Sequence, residues 1–270
     1  MSKIGSAIGE INSIDELAAR DQWVNKLHPL VKLALTLFYI VLTVSFDKYD
    51  VIGTAGMLIY PLAVFSLSEL SFRQSLKKLR LVLPLVCLMG LLNPIFDQNR
   101  ILIAGMQMSA GLLSMLTLIM KGVFSVLASY LLIATTSVDK LCYAFCLLHV
   151  PKIMVTQFML TYRYITLLLE EVNRITQAYA LRAPNQKGVH FKAWGSMVGQ
   201  LLLRSMDRAE NVYESMLLRG YQGDYRYVRE RMSFGGADVG YLLIWAAILA
   251  LFRVYPVMLI IGNLVGGLMP

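Results

Sequence analysis

Long apolar runs alternate with short charged or turn-forming segments along most of the chain. Five such runs lie at residues 30–46, 51–67, 81–96, 111–134 and 239–252. A transmembrane helix needs about 20 predominantly apolar residues, so the pattern predicts five spans. Residues 254–270 are apolar again but contain Pro256 and several glycines, so that a sixth span and a re-entrant segment both stay open. The pattern therefore predicts an all-α integral membrane protein with about five to six transmembrane helices.

Composition agrees with this interpretation. Of the 270 residues, 57% are hydrophobic and 16% are charged, and the mean hydropathy is +0.60, outside the range of ordinary soluble domains. The first 26 residues carry charges of both signs and no apolar core before a small-residue cleavage site, which argues against a signal peptide. The three cysteines are odd in number and lie in apolar or amphipathic runs, which argues against a disulfide framework.

One region of the chain is amphipathic rather than apolar. Between the fourth and fifth runs, apolar residues recur at steps of three and four, which predicts two long helices and a shorter one at about 138–149. The predicted inner faces hold Ile165, Leu168, Val172, Ile175 and Tyr179 in the first long helix, and Trp194, Val198, Leu201, Ala209, Val212 and Met216 in the second. Three parts are therefore expected: residues 1–134 with the first four spans, residues 135–236 with the amphipathic helices, and residues 237–270 with the last span or spans.

Basic residues near the ends of the runs predict the orientation. Lysine and arginine concentrate on the cytosolic side of membrane proteins. Lys26 and Lys32 flank the first run, and four more basic residues crowd the connection between the second and third runs: Arg73, Lys77, Lys78 and Arg80. We therefore expect a multi-pass protein of the cell membrane with its amino terminus and its amphipathic helices in the cytosol. Residues 135–232 hold 13 Lys or Arg against 8 Asp or Glu, which suits acidic protein surfaces and anionic lipid headgroups alike.

Two arginines stand where the amphipathic helices are expected to end. They lie in the segments AYALRAP (178–184) and MLLRGYQG (216–223), where Arg182 and Arg219 are followed at once by chain breakers. A single helix-terminal arginine usually binds the last carbonyls and the negative end of the helix dipole. Because the feature occurs twice, a contact with a partner is the other hypothesis.

The chain resembles a known family, the transmembrane T component of energy-coupling factor (ECF) importers, in its cobalt-type CbiQ branch. The resemblance runs from SIDELAARDQWVNKLHPLVKL through LIATTSVDKLCYAFCLLHVP and YRYITLLLEEVNRITQAYALRAP to RAENVYESMLLRGYQGDYR. In that family two short motifs, usually Ala-Arg-Gly, end the coupling helices and dock in grooves of two ABC-type ATPase subunits. The matching residues here are Leu181-Arg182-Ala183 and Leu218-Arg219-Gly220, so that the arginine is kept while its neighbours vary.

The resemblance implies a scaffold that links two ATPase subunits to a substrate-binding membrane subunit and passes ATP-driven motion through its coupling helices. Cobalt is the expected cargo, with nickel or a vitamin as the alternative. The chain has no GxxxxGK[ST] loop, so ATP is expected on the partners, with no cofactor in this chain. A nucleic acid is not an expected partner.

Other functional classes find little support. A membrane transferase of the prenyltransferase type would need paired acidic motifs for a magnesium-bound diphosphate; Asn12 and Asp15 approach one such motif, and no second cluster faces them. The sequence also lacks GxSxG and HExxH. Neither a channel nor a stand-alone transporter is expected, because no inverted repeat of broken spans is visible. We therefore predict no catalytic residues.

Two further constellations invite a functional interpretation. Cys142, Cys146 and His149 share one helix face with a spacing that could suit a metal, although packing is favoured because free cysteine behaves as a small hydrophobe. Lys121 lies deep in the fourth run, where a charge is a functional candidate, and we expect it to find a polar partner within the bundle. His28 is expected to cap or pack at the start of the first span, Arg253 to extend to the interface, and His190 to have no role.

Overall fold

The computed structural model describes residues 3–70, 83–96, 100–103, 106–184, 188–223 and 234–255. The chain divides into two compact units. One, which we call the helix-pair unit, comprises residues 1–17 and 137–231; the other, the apolar bundle, comprises residues 18–136 and 232–270. The basic connection with Arg73, Lys77, Lys78 and Arg80 and nearly all of the stretch 254–270 lie outside the described residues.

The described residues confirm the all-α fold class. In chain order the elements are α1 (Lys3–Ala19), α2 (Trp23–Lys26), α3 (Pro29–Val44), α4 (Val51–Gly56), α5 (Ile59–Ser68), α6 (Leu83–Phe96), β1 (Arg100–Ile103), β2 (Met106–Ser109), α7 (Ala110–Thr135), α8 (Val138–Leu147), α9 (Lys152–Arg182), α10 (Phe191–Leu218) and α11 (Gly236–Val254). The short antiparallel hairpin of β1 and β2 is an addition to the predicted helices. Segments this short beside an apolar run give too few positions to show a period of two.

All five predicted apolar runs are largely helical where the structure describes them. Three helical segments are long and apolar enough to cross a membrane: Val51–Ser68, which joins α4 and α5, Ala110–Thr135 and Gly236–Val254. The helices Pro29–Val44 and Leu83–Pro94 are apolar but shorter. The described residues thus support a helical membrane protein with three candidate spans, whereas the total of five or six stays a prediction.

Aromatic packing and a close contact between helices at a glycine hold the apolar bundle together. Tyr39 is fully buried, donates a hydrogen bond of 3.0 Å to the Met57 carbonyl, and its ring lies 4.7 Å from the Tyr60 ring. Between α6 and α7, a Cβ atom added at Gly122 would lie 2.8 Å from Cγ1 of Val86. Small residues at helix contacts allow such close packing in membranes, so glycine at position 122 sets the distance between these two helices.

In the helix-pair unit, α9 is one continuous helix of 31 residues and α10 has 28. The predicted inner face of α9 is largely correct, because four of its five residues are half-buried and only Ile165 is exposed. The prediction for α10 is correct for half of its residues: Leu201, Val212 and Met216 are half-buried, whereas Trp194, Val198 and Ala209 are exposed. Apolar residues lie on more than one side of α10, so their spacing in the sequence did not identify the side that meets α9.

Candidate functional site

The first arginine ends α9. Arg182 is the last residue of the helix, and the backbone N–H of Ala183 donates to the Tyr179 carbonyl at 3.0 Å. Pro184 then follows, a residue that cannot continue a helix. The Leu181 side chain is 83% exposed, and Arg182 is exposed as well. An apolar and a cationic side chain are therefore presented together at this end.

The second arginine ends α10 in a tighter turn. Arg219 follows the last helical residue, Leu218. The N–H of Gly220 donates to the Leu217 carbonyl and that of Tyr221 to the Met216 carbonyl, both at 2.9 Å. This pair of bonds is a Schellman motif, and it explains the glycine, because Gly220 has a φ of +81° that other residues rarely adopt. Leu218 is 90% exposed.

The two helix ends thus share an exposed Leu-Arg pair. Within the described residues, neither the Arg182 nor the Arg219 side chain forms a hydrogen bond or an ion pair with the chain. That observation weighs against the hypothesis that they bind the terminal carbonyls of their own helices. Arginine is enriched at protein interfaces, which makes these exposed ends candidate contacts for a partner. Docking itself stays a prediction for Leu181, Arg182, Ala183, Leu218, Arg219 and Gly220.

The ion pair of Glu171 with Arg204 joins the two long helices. Arg204 on α10 pairs with Glu171 on α9, and Arg174 lies 3.9 Å from the other carboxylate oxygen. Near this contact is a cleft of about 510 Å³ lined by residues that include Arg174, Arg182, Arg204 and Glu171. A second and largely apolar cavity of about 480 Å³ is lined by residues that include Leu168, Val212, Met216 and Tyr221. Arg182 lines the first of these, and Met216 and Tyr221 of the second are close to Arg219 in the chain.

Lys121 finds the polar partner that the sequence predicts. Its Nζ donates to the carbonyls of Val44, at 3.2 Å, and Phe46. Arg253, which was expected to extend to the membrane interface, donates to the carbonyl of Ser45 at 3.2 Å. Both cations thus meet the carboxyl end of α3, where unpaired carbonyls and the helix dipole favour positive charge. This contact gives Lys121 a structural role.

A second lysine, Lys32, is buried in the first turn of α3. Lys32 is 4% exposed, and its Nζ donates to the Thr135 carbonyl at 2.8 Å. The sequence carries a signal for this burial, because Lys32 falls within the first apolar run, three residues after Pro29. The orientation that Lys32 and the other basic residues indicate stays a prediction.

His28 and His190 both cap helices. Nδ1 of His28 accepts from the Leu30 N–H at 3.3 Å, and the ring stacks on Phe234 at 4.2 Å, which confirms the prediction of capping and packing. Burial lowers the pKa of His28, which favours the neutral ring that can accept this bond. His190 was assigned no role, but its Nδ1 accepts from the Lys192 N–H at the start of α10.

The cysteine face of α8 does not converge on one point. Cys142 is 1% exposed, whereas Cys146 and His149 are exposed. Burial raises the pKa of the Cys142 thiol to about 11, with smaller contributions from Asp139 and Cys146. Among the described residues, no group of three His, Cys, Asp or Glu side chains could hold a metal ion. Packing remains the favoured hypothesis for this face.

Comparison with known proteins defines the class and then the family. The apolar helices are those of a membrane protein, and residues 20–233 match the CbiQ family, described as "Cobalt transport protein". Because the match covers well over half of the chain, the protein belongs to the CbiQ family of membrane transport components.

Two archaeal proteins are similar to this chain. "Uncharacterized protein MJ1571" of Methanocaldococcus jannaschii is 30% identical over 148 residues, which are 54% of this chain and 50% of that protein. "Uncharacterized protein MJ1089" of the same organism is 31% identical over 97 residues, 35% of this chain and 36% of that protein. The chain thus spans half or less of the length of the curated relatives it matches.

Proposed function

We propose that this protein is the transmembrane coupling subunit of an ATP-driven importer of the ECF type, with cobalt ions as its cargo. In this role it joins two ABC-type ATPase subunits to a substrate-binding membrane subunit, lies in the cell membrane with surrounding lipid, and keeps α9 and α10 in the cytosol. Nickel or a vitamin is the alternative cargo, and a membrane-embedded transferase is a weaker alternative function. The chain itself is non-catalytic in this proposal.

The observation that carries the proposal is the pair of exposed Leu-Arg ends. Arg182 and Arg219 terminate helices of 31 and 28 residues, which extend about 46 and 42 Å at 1.5 Å per residue. A guanidinium at the end of a long helix can bind a carboxylate through two parallel hydrogen bonds. Membership of a cobalt transport family supports the same role.

Charge reversal of the two arginines tests the proposal. The tagged chain is purified from its own membranes, and co-purifying proteins are identified by mass spectrometry. We expect ABC-type ATPase subunits and a small membrane protein with the unmodified chain, and no ATPase with Arg182→Glu and Arg219→Glu together. A reversed charge at a buried contact costs roughly 2 to 5 kcal/mol per site.

A matched control compares Arg182→Glu alone with Arg163→Glu, which reverses another exposed arginine of the same helix. Both substitutions change the net charge equally, and we expect Arg163→Glu to leave ATPase recovery near that of the unmodified chain. Recovery of the ATPase at full yield with both Arg182 and Arg219 reversed, or failure of any ATPase to co-purify with the unmodified chain, contradicts the proposed function.

A further inference from the structure

We propose that the largely apolar cavity of the helix-pair unit binds one long-chain fatty acid, with its carboxylate on Arg208 and its chain between α9 and α10. The cavity, called here the Arg208 cavity, has a volume of about 480 Å³, within the roughly 300–1,000 Å³ of small-molecule sites. Both helices belong to the same compact unit. The inference does not depend on the importer role, and among the described residues neither Arg182 nor Arg219 lines this cavity.

The Arg208 cavity is long enough for one lipid chain. The short connection at residues 183–190 makes α9 and α10 antiparallel neighbours, and Glu171 of α9 pairs with Arg204 of α10. The cavity lies to one side of this pair, with its lining from residues between 153 and 168 on α9 and between 205 and 221 at the end of α10. On α9 this stretch extends about 22 Å at 1.5 Å per residue, longer than the roughly 15 Å that one lipid chain occupies in half of a bilayer core.

The walls of the Arg208 cavity suit a hydrocarbon chain. Apolar side chains of both helices contribute to them: Ile153, Leu160, Leu168, Ala209, Val212 and Met216. Each methylene group that a ligand buries against such walls contributes about fourfold to its binding constant. A long apolar chain is therefore favoured over a short polar ligand.

The charge of the Arg208 cavity selects the head of the ligand. Among the described residues, Arg208 is the one charged side chain of the lining, and no Asp or Glu accompanies it. Within the same part of the chain its guanidinium forms neither a hydrogen bond nor an ion pair. The planar fork of arginine matches a carboxylate through two hydrogen bonds, and the hydroxyl groups of Thr161, Tyr164 and Tyr213 add donors to the lining. A single negative head with an apolar tail complements this arrangement.

A free fatty acid is favoured over a bilayer phospholipid. A phospholipid carries two chains, whereas the Arg208 cavity follows one stretch between two helices. In addition, neither α9 nor α10 is among the candidate membrane spans of the described residues, so a ligand that can leave the bilayer suits this site.

The test uses a photoactivatable fatty acid on the full chain in nanodiscs of zwitterionic lipid. The probe is palmitic acid with a diazirine near the end of its chain, and cross-linked peptides are identified by mass spectrometry. We expect saturable labelling within residues 153–168 and 205–221. The methyl ester of the same probe has no charge, so at equal concentration it should label these residues about tenfold less or weaker still, the loss for a hydrogen bond to a charged group.

Substitutions separate recognition of the head from recognition of the chain. Arg208→Gln removes the charge and should reduce labelling by the acid about tenfold or more, whereas Arg208→Lys keeps the charge, though not the fork, and should keep most of the labelling. Val212→Phe enlarges a wall of the cavity and should reduce labelling while Arg208 is intact. The matched control Arg163→Gln, an exposed arginine of α9 outside the lining, should label like the unmodified chain, and circular dichroism checks that every variant keeps its helices.

Each of the other outcomes overturns the inference. Equal labelling by the acid and its ester, or unchanged labelling of Arg208→Gln, shows that the probe enters by apolar partition only. Loss of labelling when anionic phospholipid is added to the nanodiscs identifies a bilayer lipid as the occupant. Labelling of the purified chain that disappears in the co-purified complex assigns the cavity to a partner protein. Labelling confined to the candidate membrane spans shows that the probe stays in the bilayer.

Discussion

Tyr162 of α9 donates a hydrogen bond of 2.8 Å to the carboxylate of Asp15 in α1. The two residues are 147 positions apart, and both belong to the helix-pair unit. The bond therefore attaches the amino-terminal helix to the helix that ends in Arg182. Local periodicity does not predict this attachment, because it cannot pair two residues so far apart in the chain.

Removal of the Tyr162 hydroxyl should loosen α1. A hydrogen bond to a charged group contributes about 1.5 to 3 kcal/mol, so we expect Tyr162→Phe to speed amide hydrogen exchange in α1 about tenfold or more. Tyr164→Phe, two residues away, is the control and should leave the exchange unchanged. Equal protection of α1 in both variants would show that the bond contributes nothing to its attachment.

The same bond predicts a dependence on pH. Burial, and then Asp15, raise the pKa of Tyr162 above its ordinary value of 10.0. Because the pKa of Tyr162 is raised in the folded state, the stabilisation that this bond gives is complete below about pH 10. It is lost as the pH rises through the folded-state pKa. Protection of α1 should therefore fall at strongly alkaline pH in the unmodified chain. In Tyr162→Phe it should lack this alkaline step.

Under the proposed function, a kink in α9 should separate ATP hydrolysis by the partner subunits from transport. Proline at Val172 removes a backbone hydrogen bond and clashes with the preceding turn, at about 3 kcal/mol or more, while Arg182 is kept. We expect Val172→Pro to retain ATP hydrolysis in reconstituted vesicles and to lose cobalt accumulation, measured in the same vesicles. Val172→Ala is the control, and unchanged accumulation with Val172→Pro would mean that α9 carries no force.

The cysteines of α8 should differ in reactivity. Because the pKa of Cys142 is raised to about 11 by burial, its reactive thiolate forms only at alkaline pH. In a Cys87→Ala background, maleimide near neutral pH should label exposed Cys146 at least about tenfold faster than Cys142.

The triple change Cys142→Ala, Cys146→Ser and His149→Gln should leave uptake near normal. Complete loss of uptake with normal assembly would instead place a metal site here.

Close packing at Gly122 predicts that alanine will have different effects at position 122 and at position 240. Alanine at position 122 would place Cβ 2.8 Å from Val86, whereas a Cβ at Gly240 meets nothing within 4 Å. We expect Gly122→Ala to destabilise the bundle by about 1 to 3 kcal/mol and Gly240→Ala to be neutral or stabilising. Thermal unfolding in detergent measures both, and Val86→Ala should rescue the first. Equal unfolding temperatures would contradict the close contact.

The features that sequence predicts here are those that repeat locally. Apolar runs identify the helices, and a chain breaker after Arg182 or Arg219 identifies the helix ends, because both signals lie within a few residues. Contacts between distant segments give no such signal. The burial of Lys32, the side of α10 that meets α9, and the ion pair of Glu171 with Arg204 all depend on which helices become neighbours, and only the structure supplies that.

The hydrogen bond from Lys32 to Thr135 has a mechanical consequence. Thr135 is the last residue of α7, and the chain passes from the apolar bundle to the helix-pair unit immediately afterwards, between Thr136 and Ser137. The end of α7 is therefore fastened to α3 by a buried ammonium group. Fraying of this helix end has to break the contact with Lys32 as well as the hydrogen bonds of the helix itself.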